Sequence, residues 1–138
     1  MTPEELPVLT IDGARFDDLA GFAREFSTLL CDYTWRGNLD AFNDILRGGF
    51  GTPENGFVLR WLDSERSRDE ALGWPATIAR FEQLLTTCHP DNRAHMRSEI
   101  ERARRHEGDR LFDQIVEIIR DHGPGGRQSA DHVYLDLR

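Results

Sequence analysis

Three short apolar runs, separated by long segments with helical periodicity, constrain the fold of this 138-residue chain most strongly. The first run, residues 8–11, ends at the turn dipeptide Asp12-Gly13, and the second spans residues 57–61 without a break except Arg60. In the third, residues 132–137, polar and apolar residues alternate. Each connection is long enough to carry a helix, which favours parallel strands joined by right-handed crossovers. We therefore predict an α/β fold with a small three-stranded parallel sheet and helices packed on it.

Helical periodicity and capping residues predict the elements between these runs. Six apolar residues of the first connection recur at helical spacing: Leu19, Phe22, Ala23, Phe26, Leu29 and Leu30. Four helix starts are predicted: at Asp17, at Ser67 in a capping box with Glu70, at Trp74 before Pro75, and at Asp109. A helix over residues 93–105, capped by Asp91 or Asn92, has a thin apolar face of Met96, Ile100 and Ala103. That face is typical of a solvated outer layer.

The stretch from residue 34 to residue 46 predicts a short helix whose two faces differ. Leu39, Phe42, Ile45 and Leu46 recur at the spacing of a core-facing stripe, whereas Asp40 and Asp44 lie one turn apart on the other side. Like charges at this spacing are mildly destabilising in an isolated helix. From spacing alone the two carboxylates fit a solvated helix face better than a surface that binds a cationic partner.

The sequence Gly-Asn-Leu-Asp-Ala-Phe-Asn-Asp-Ile-Leu at residues 37–46 resembles the binding-helix signature of the barstar-related family. Residues 57–61, Phe-Val-Leu-Arg-Trp, are similar to the strand that follows this helix in the family. The resemblance covers residues 9–61 and, more loosely, residues 112–137, while residues 64–108 form a longer helical segment. It implies the α/β fold predicted above and a function as an intracellular inhibitor of a secreted ribonuclease.

The resemblance also implies which residues contact the partner, with Asp44 at the position of the family's central contact. Eight residues make up the predicted partner-binding surface: Thr34, Trp35, Gly37, Asn38, Asp40, Asn43, Asp44 and Phe50. The chain departs from the family pattern in Thr34, where a tyrosine is expected, and in Asn43, where a tryptophan is expected. A glutamate that the family presents from its last contact helix has no secure counterpart near Glu117 and Ile118.

Three aromatic residues around the predicted binding helix leave alternatives open. Tyr33 and Trp35 fit either a lid over the end of the first helix or an aromatic rim beside a binding surface. Phe50 lies in a glycine-rich loop, residues 47–56, and is either tucked under the loop or offered to a partner. We favour the second possibility for Phe50.

Charge and composition narrow the function classes. The net charge is −8, and residues 1–65 contain 5 arginines against 12 acidic residues, so the acidic character belongs to the N-terminal half. No basic cluster stands clear of acids, which argues against nucleic-acid binding. The first seven residues do not fit a signal peptide and no apolar run approaches a membrane span, so we expect a cytoplasmic protein without a membrane partner.

Cysteine and histidine usage does not predict a metal site or any other cofactor. Cys31 and Cys88 are expected to be reduced and at least half-buried thiols, although a disulfide remains open from sequence. Four potential ligands, Cys88, His89, His95 and His106, lack the spacing of a zinc site. His122 and His132 are interpreted as isolated histidines.

Three functions compete for a chain interpreted as one domain over residues 1–138. The favoured one is an acidic inhibitor that plugs the active site of a basic ribonuclease or nuclease toxin. The alternative is a protein-binding module of the same type with a different protein partner. The third, an enzyme with Asp40 and Asp44 as acid and base, is disfavoured because nothing nearby in sequence supplies a nucleophile, metal site or apolar pocket.

Overall fold

A computed structural model describes residues 2–138 and contains a three-stranded parallel sheet with strand order β1-β2-β3. The strands are β1 (Val8–Asp12), β2 (Phe57–Leu62) and β3 (Val133–Leu137). Leu59 in the central strand pairs with Leu9 on one side and with Leu135 on the other. Phe57, Leu59 and Trp61 of β2 are buried on one face of the sheet, whereas on the other face Arg60 is half-buried and Leu62 is exposed. The predicted α/β fold with a small parallel sheet is confirmed.

Within residues 2–138, six α-helices lie between the strands, two before β2 and four after it. They are α1 (Leu19–Ser27), α2 (Leu39–Arg47), α3 (Ser64–Arg66), α4 (Trp74–Thr87), α5 (Arg93–Arg104) and α6 (Leu111–Asp121). A π-helical turn, Ser67–Ala71, extends α3. Short 3-10 turns occur at Pro3–Glu5, Gly13–Arg15, Pro90–Asn92 and Ser129–Asp131.

The core lies between one face of the sheet and the helices, and aromatic rings fill much of it. Trp61 of β2 is fully buried and stacks on Phe22 of α1 with ring centroids 5.0 Å apart. Phe42 of α2 contacts Phe26 edge to face at 5.0 Å. Aromatic pairs of this kind contribute about 0.5–1.5 kcal/mol beyond the burial of their area. This cluster fixes α1 and α2 against the sheet.

Three of the predicted helix starts are wrong. Asp18 rather than Asp17 caps α1, and its Oδ1 accepts a hydrogen bond from the Gly21 amide at 2.8 Å. The predicted capping residue Ser67 lies inside a continuous helical segment. Its Oγ is buried and accepts a hydrogen bond from Trp61 Nε1 at 3.0 Å, so it cannot cap.

The start of the last helix also differs from the prediction. Arg110, not Asp109, precedes α6, and the Asp113 carboxylate accepts a hydrogen bond from the Arg110 amide at 2.9 Å. Asp113 thereby satisfies an amide at the start of the helix from within its first turn. The predicted start of α4 at Trp74, with proline following it, is confirmed.

The helical segment 64–108 packs on the rest of the chain through α4 and α6. The Leu111 amide donates a hydrogen bond to Thr77 Oγ1 at 2.7 Å, and the Phe112 amide donates to the Leu72 carbonyl at 3.0 Å. In α5, Ile100 and Ala103 are buried while most other side chains are exposed. The thin apolar face predicted for this outer helix is therefore confirmed.

Candidate partner-binding site

Helix α2 presents two exposed carboxylates on a rigid support. Asn38 caps the helix, because its Oδ1 accepts a hydrogen bond from the Ala41 amide at 3.0 Å. The predicted core stripe of Leu39, Phe42, Ile45 and Leu46 is buried. This packing leaves Asp40 and Asp44 in solvent on the opposite face. Burial of one face therefore fixes the direction in which the acidic face points.

Asp44 has one ion-pair partner within the described chain, and that pair is weak. Arg47 Nη1 lies 3.4 Å from Asp44 Oδ1, and the two side chains are 55% and 64% exposed. Exposed pairs of this kind contribute about 0.2–1 kcal/mol. A partner cation could therefore replace Arg47 at little cost.

The acidic face of α2 forms one wall of an open groove, and α6 forms the other. The groove has a volume of about 1040 Å³. Four carboxylates and two arginines line it: Asp40, Asp44, Glu117, Asp121, Arg47 and Arg127. Glu117 and Ile118, near which the sequence offered no secure counterpart for a contact residue, both lie in this wall. The contribution of α6 could not be predicted because helices far apart in sequence meet only in the fold.

Asp121 differs from the other groove carboxylates because hydrogen bonds within the chain hold it. Its Oδ1 accepts from the Arg127 amide at 2.9 Å and from Arg127 Nε at 3.2 Å, and its Oδ2 accepts from Gln128 Nε2 at 3.1 Å. The Arg127 amide, the Arg127 side chain and Gln128 together lower the pKa of Asp121 to about 2. Asp121 is therefore ionised and already paired.

Trp35 is a core residue, so its assignment to the partner-binding surface is wrong. Only 2% of the residue is exposed, and its ring stacks on Phe42 with centroids 4.7 Å apart. Its indole Nε1 donates a hydrogen bond to the Asn38 carbonyl at 2.8 Å. Trp35 thus anchors the start of α2 from inside, and the sequence could not distinguish this role from that of a rim aromatic.

Tyr33 and Phe50 form a small aromatic pair beside α2. Their ring centroids are 4.8 Å apart, Tyr33 is 39% exposed, and Phe50 is partly buried against the core. Thr34 and Asn38 are exposed, and Gly37 is half-exposed with a φ of +101°, a conformation that favours glycine. Thr34, Gly37 and Asn38 precede α2 and Phe50 follows it, and their assignment to a partner-binding surface stays a prediction.

Asn43 lies on the same face of α2 but is engaged by residues of its own chain. Its Oδ1 accepts hydrogen bonds from His122 Nε2 at 2.8 Å and from Gln128 Nε2 at 3.0 Å. His122 is fully buried, and its Nδ1 lies 2.6 Å from Asp131 Oδ2. The interpretation of His122 as an isolated histidine is therefore wrong. No sequence signal connects residues 43 and 122, which lie far apart in the chain.

A second, smaller groove flanks the start of α2 and brings the 64–108 segment to it. Arg36 and Arg80 line this groove together with Asp40. Partial burial lowers the pKa of Arg80, and the charge of Asp40 opposes this shift. Helix α4 therefore places a cationic side chain next to the acidic face, a neighbour that the sequence did not predict.

The thiols and histidines considered as metal ligands are dispersed. Cys31 is exposed and Cys88 is half-buried, and both are free thiols, so the expected burial of Cys31 is wrong. Within residues 2–138, no group of three or more His, Cys, Asp or Glu side chains is arranged to hold a metal ion. In the same part of the chain, no helix is both long enough and apolar enough to span a membrane.

Comparison with known protein families decides the assignment. The family model described as Barstar (barnase inhibitor) matches residues 6–104, more than half of the chain. The chain belongs to the barstar family. Searches with this chain found no match among the curated proteins and none among the solved structures.

The range matched by the barstar family model differs from the range expected from resemblance. It continues beyond β2 through α3, α4 and α5, and it ends before α6. The barstar match therefore includes most of the 64–108 segment but not Glu117, Asp121 or His122. The α6 wall of the groove is thus described by the fold of this chain and not by the family match.

Proposed function

We propose that this chain is a cytoplasmic inhibitor of a basic ribonuclease and binds the nuclease active site through the acidic groove between α2 and α6. One observation carries the proposal. Asp40, Asp44 and Glu117 line a single open groove between two helices, while the ionised Asp121 is already paired with Arg127 of its own chain. Membership in a family described as barnase inhibitors supports the same direction.

Electrostatics gives the mechanism of this proposed inhibition. A ribonuclease site binds phosphate groups and is therefore cationic. Carboxylates on a rigid helix can replace those phosphates through charge-assisted hydrogen bonds. Asp44, with only a weak exposed ion pair to displace, takes the central position, and Asp40 and Glu117 flank it. The inhibitor then blocks the site without undergoing any reaction, and no catalytic role or cofactor is proposed.

The domain assignment belongs to the same proposal. We treat residues 1–138 as one barstar-like domain. Hydrogen bonds from Leu111 and Phe112 attach helix α6 to the 64–108 segment. The two helices of the groove are then held by one core. In this arrangement, the acidic groove acts as a preformed surface.

A cleavage assay tests the proposal. Barnase and a panel of other basic secreted ribonucleases are mixed with the purified chain, and RNA cleavage is followed as inhibitor is added. We expect cleavage by at least one of them to fall to zero near one inhibitor per enzyme. The matched control is the Asp40→Asn, Asp44→Asn double variant, which keeps the shape of the groove and removes the two negative charges of α2. Full cleavage by every enzyme at excess inhibitor would contradict the proposal.

A protein-binding module with another partner is the second candidate, and Asn43 favours it. The family pattern has a tryptophan at this position, whereas the Asn43 side chain here is bonded to His122 and Gln128. The partner-facing surface therefore differs in shape from that of the family pattern. Capture of host proteins on the immobilised chain distinguishes the two candidates, because a nuclease supports the first and a different protein, lost in the double variant, supports the second.

A further inference from the structure

A chain of hydrogen bonds runs from buried His122 to the surface of α2. His122 lies at the end of α6 with no exposed area, and its two ring nitrogens face Asp131 Oδ2 at 2.6 Å and Asn43 Oδ1 at 2.8 Å. From Asn43 the chain continues through Gln128 to Arg47. Arg47 in turn contacts Asp44, the central carboxylate of the groove.

Arg47, at the surface end of this series of hydrogen bonds, determines which atom is the donor and which the acceptor in each bond. Arginine has donors and no acceptor, so Arg47 Nε must donate to an oxygen of Gln128, 2.6 Å away. The amide nitrogen of Gln128 therefore faces the other way, toward Asn43 and toward Asp121 Oδ2 at 3.1 Å. The ionised Asp121 carboxylate only accepts, so it requires the same orientation of Gln128.

This order of donors and acceptors determines which ring nitrogens of His122 carry a proton. Because Gln128 donates to Asn43, the atom of Asn43 in this contact is its oxygen. The same oxygen faces His122 Nε2, which must therefore carry a proton and donate it. On the other side, Nδ1 faces the Asp131 carboxylate and also donates. Even with that proton shared toward Asp131, the requirement at Nε2 is unchanged.

We propose that His122 is a positioning residue, held as an imidazolium, whose two N–H groups tie Asp131 to Asn43 and thereby fix α2 against α6. Through Asn43 and Gln128 the same ring holds Arg47 beside Asp44. The acidic face of α2 is then presented in a single arrangement. The link between this arrangement and partner binding rests on the proposed function, whereas the protons and the hydrogen-bond chain are properties of the free protein.

If His122 Nε2 lost its proton, no rotation of the neighbouring amide groups would restore all the hydrogen bonds of the network. A bare Nε2 would face the Asn43 oxygen, and rotation of the Asn43 amide would place its nitrogen against that of Gln128. Rotation of Gln128 would then set its nitrogen against the Arg47 donor and its oxygen against the Asp121 carboxylate. At least one hydrogen bond is lost in every case, so the observed arrangement requires a proton on His122 Nε2.

Charged groups around the network balance the imidazolium. Asp131 faces it from the turn before β3, and Asp121 faces Gln128 from α6 and is itself paired with Arg127. Arg47 and Asp44 stand at the surface end on α2. One buried cation is therefore matched directly by one carboxylate, as a buried charge requires.

Nuclear magnetic resonance of the free protein tests the proton assignment. At pH 6 we expect both ring N–H groups of His122 to be observed, together with a slowly exchanging Arg47 Nε–H. A neutral His122 ring, with either nitrogen unprotonated, would overturn the proposal. His122→Gln should speed the exchange of the Arg47 Nε–H by about tenfold or more, the scale of one hydrogen bond to a charged group. His95→Gln, at an exposed histidine of α5, is the matched control and should leave it unchanged.

Two variants of Asn43 keep the proposal testable if His122→Gln does not fold. Position 43 receives only donors, so Asn43→Asp should keep the thermal midpoint within about 3 °C of wild type, while Asn43→Leu should lower it by about 5 °C or more. Equal losses in both variants would overturn the assignment of position 43 as an acceptor. None of these measurements uses a partner, so a failure to inhibit any ribonuclease is separate from a failure of this inference.

Discussion

At the scale of single residues, the carboxylates of the groove differ in what they already bind. Asp121 accepts three hydrogen bonds from Arg127 and Gln128, whereas Asp44 has a single exposed contact with Arg47. A carboxylate that is satisfied within the chain stabilises the fold, and one that is left in solvent is free to meet a partner. The two roles therefore separate along the same groove.

Asp121 makes the stability of the fold depend on pH in a defined window. Its pKa is lowered from 3.8 to about 2, so its contribution to the free energy of unfolding is present above about pH 4 and is lost as pH falls through about 2. Asp121→Asn should therefore be less stable than wild type at pH 6, and the difference should shrink toward pH 2. Urea unfolding at pH 6, 4 and 2.5 measures this. A difference that does not change with pH, or an equal effect of the control Asp109→Asn, would contradict it.

At the scale of elements, helices α4 and α5 of the 64–108 segment differ in how close they lie to the acidic face of α2. Arg80 of α4 lies in the small groove beside Asp40, while Arg93 and Arg97 are exposed on the outer helix α5. The segment is therefore a neighbour of the binding face along one helix only.

This difference predicts different effects on affinity for arginine substitutions in the two helices. Arg80→Ala removes a positive charge beside Asp40 and should strengthen binding of a basic partner by about two- to fivefold, corresponding to about 0.4–1 kcal/mol. The control, Arg93→Ala with Arg97→Ala, should change affinity by less than about twofold. Surface plasmon resonance against the inhibited ribonuclease measures both. A tenfold loss in the α5 variant would mean that this outer helix contacts the partner.

The elements also show what the sequence can and cannot predict. The apolar run of β2 and the periodic core stripe of α2 predict a strand and a helix from the sequence, because these apolar side chains must be buried. The start of α1 does not, because Arg66, distant in sequence, pairs with Asp17 and leaves Asp18 to cap the helix. Choices between adjacent polar residues depend on such tertiary contacts.

The same limit applies to the candidate site. Asp40 and Asp44 could be predicted as one exposed face from their spacing within a single helix. The burial of Trp35 cannot be predicted in this way, because it depends on Phe42 and on the Asn38 carbonyl, contacts that exist only in the fold. The pairing of Asn43 with His122 joins two helices and has no periodic signal.

At the scale of the whole molecule, charge should control how fast a partner is captured. The net charge is −8, and the acidic face of α2 lies in the strongly acidic N-terminal half. Association with a basic ribonuclease should therefore be fast at low salt and should slow markedly between about 10 and 500 mM salt, while dissociation changes less. Stopped-flow association rates measure this dependence. A rate that is flat across the range would exclude electrostatic steering.

The most direct test of the proposed inhibition is a paired measurement on Asp44→Ala: titration calorimetry with the inhibited ribonuclease and an unfolding curve of the free variant. Asp44 is 64% exposed and weakly paired, so its loss should change the free energy of unfolding by less than about 0.5 kcal/mol. Binding should weaken by more than about 2 kcal/mol because a cationic site loses its main counter-charge, and Asp40→Ala should cost less. Unchanged affinity together with lowered stability would make Asp44 a structural residue and would contradict the account.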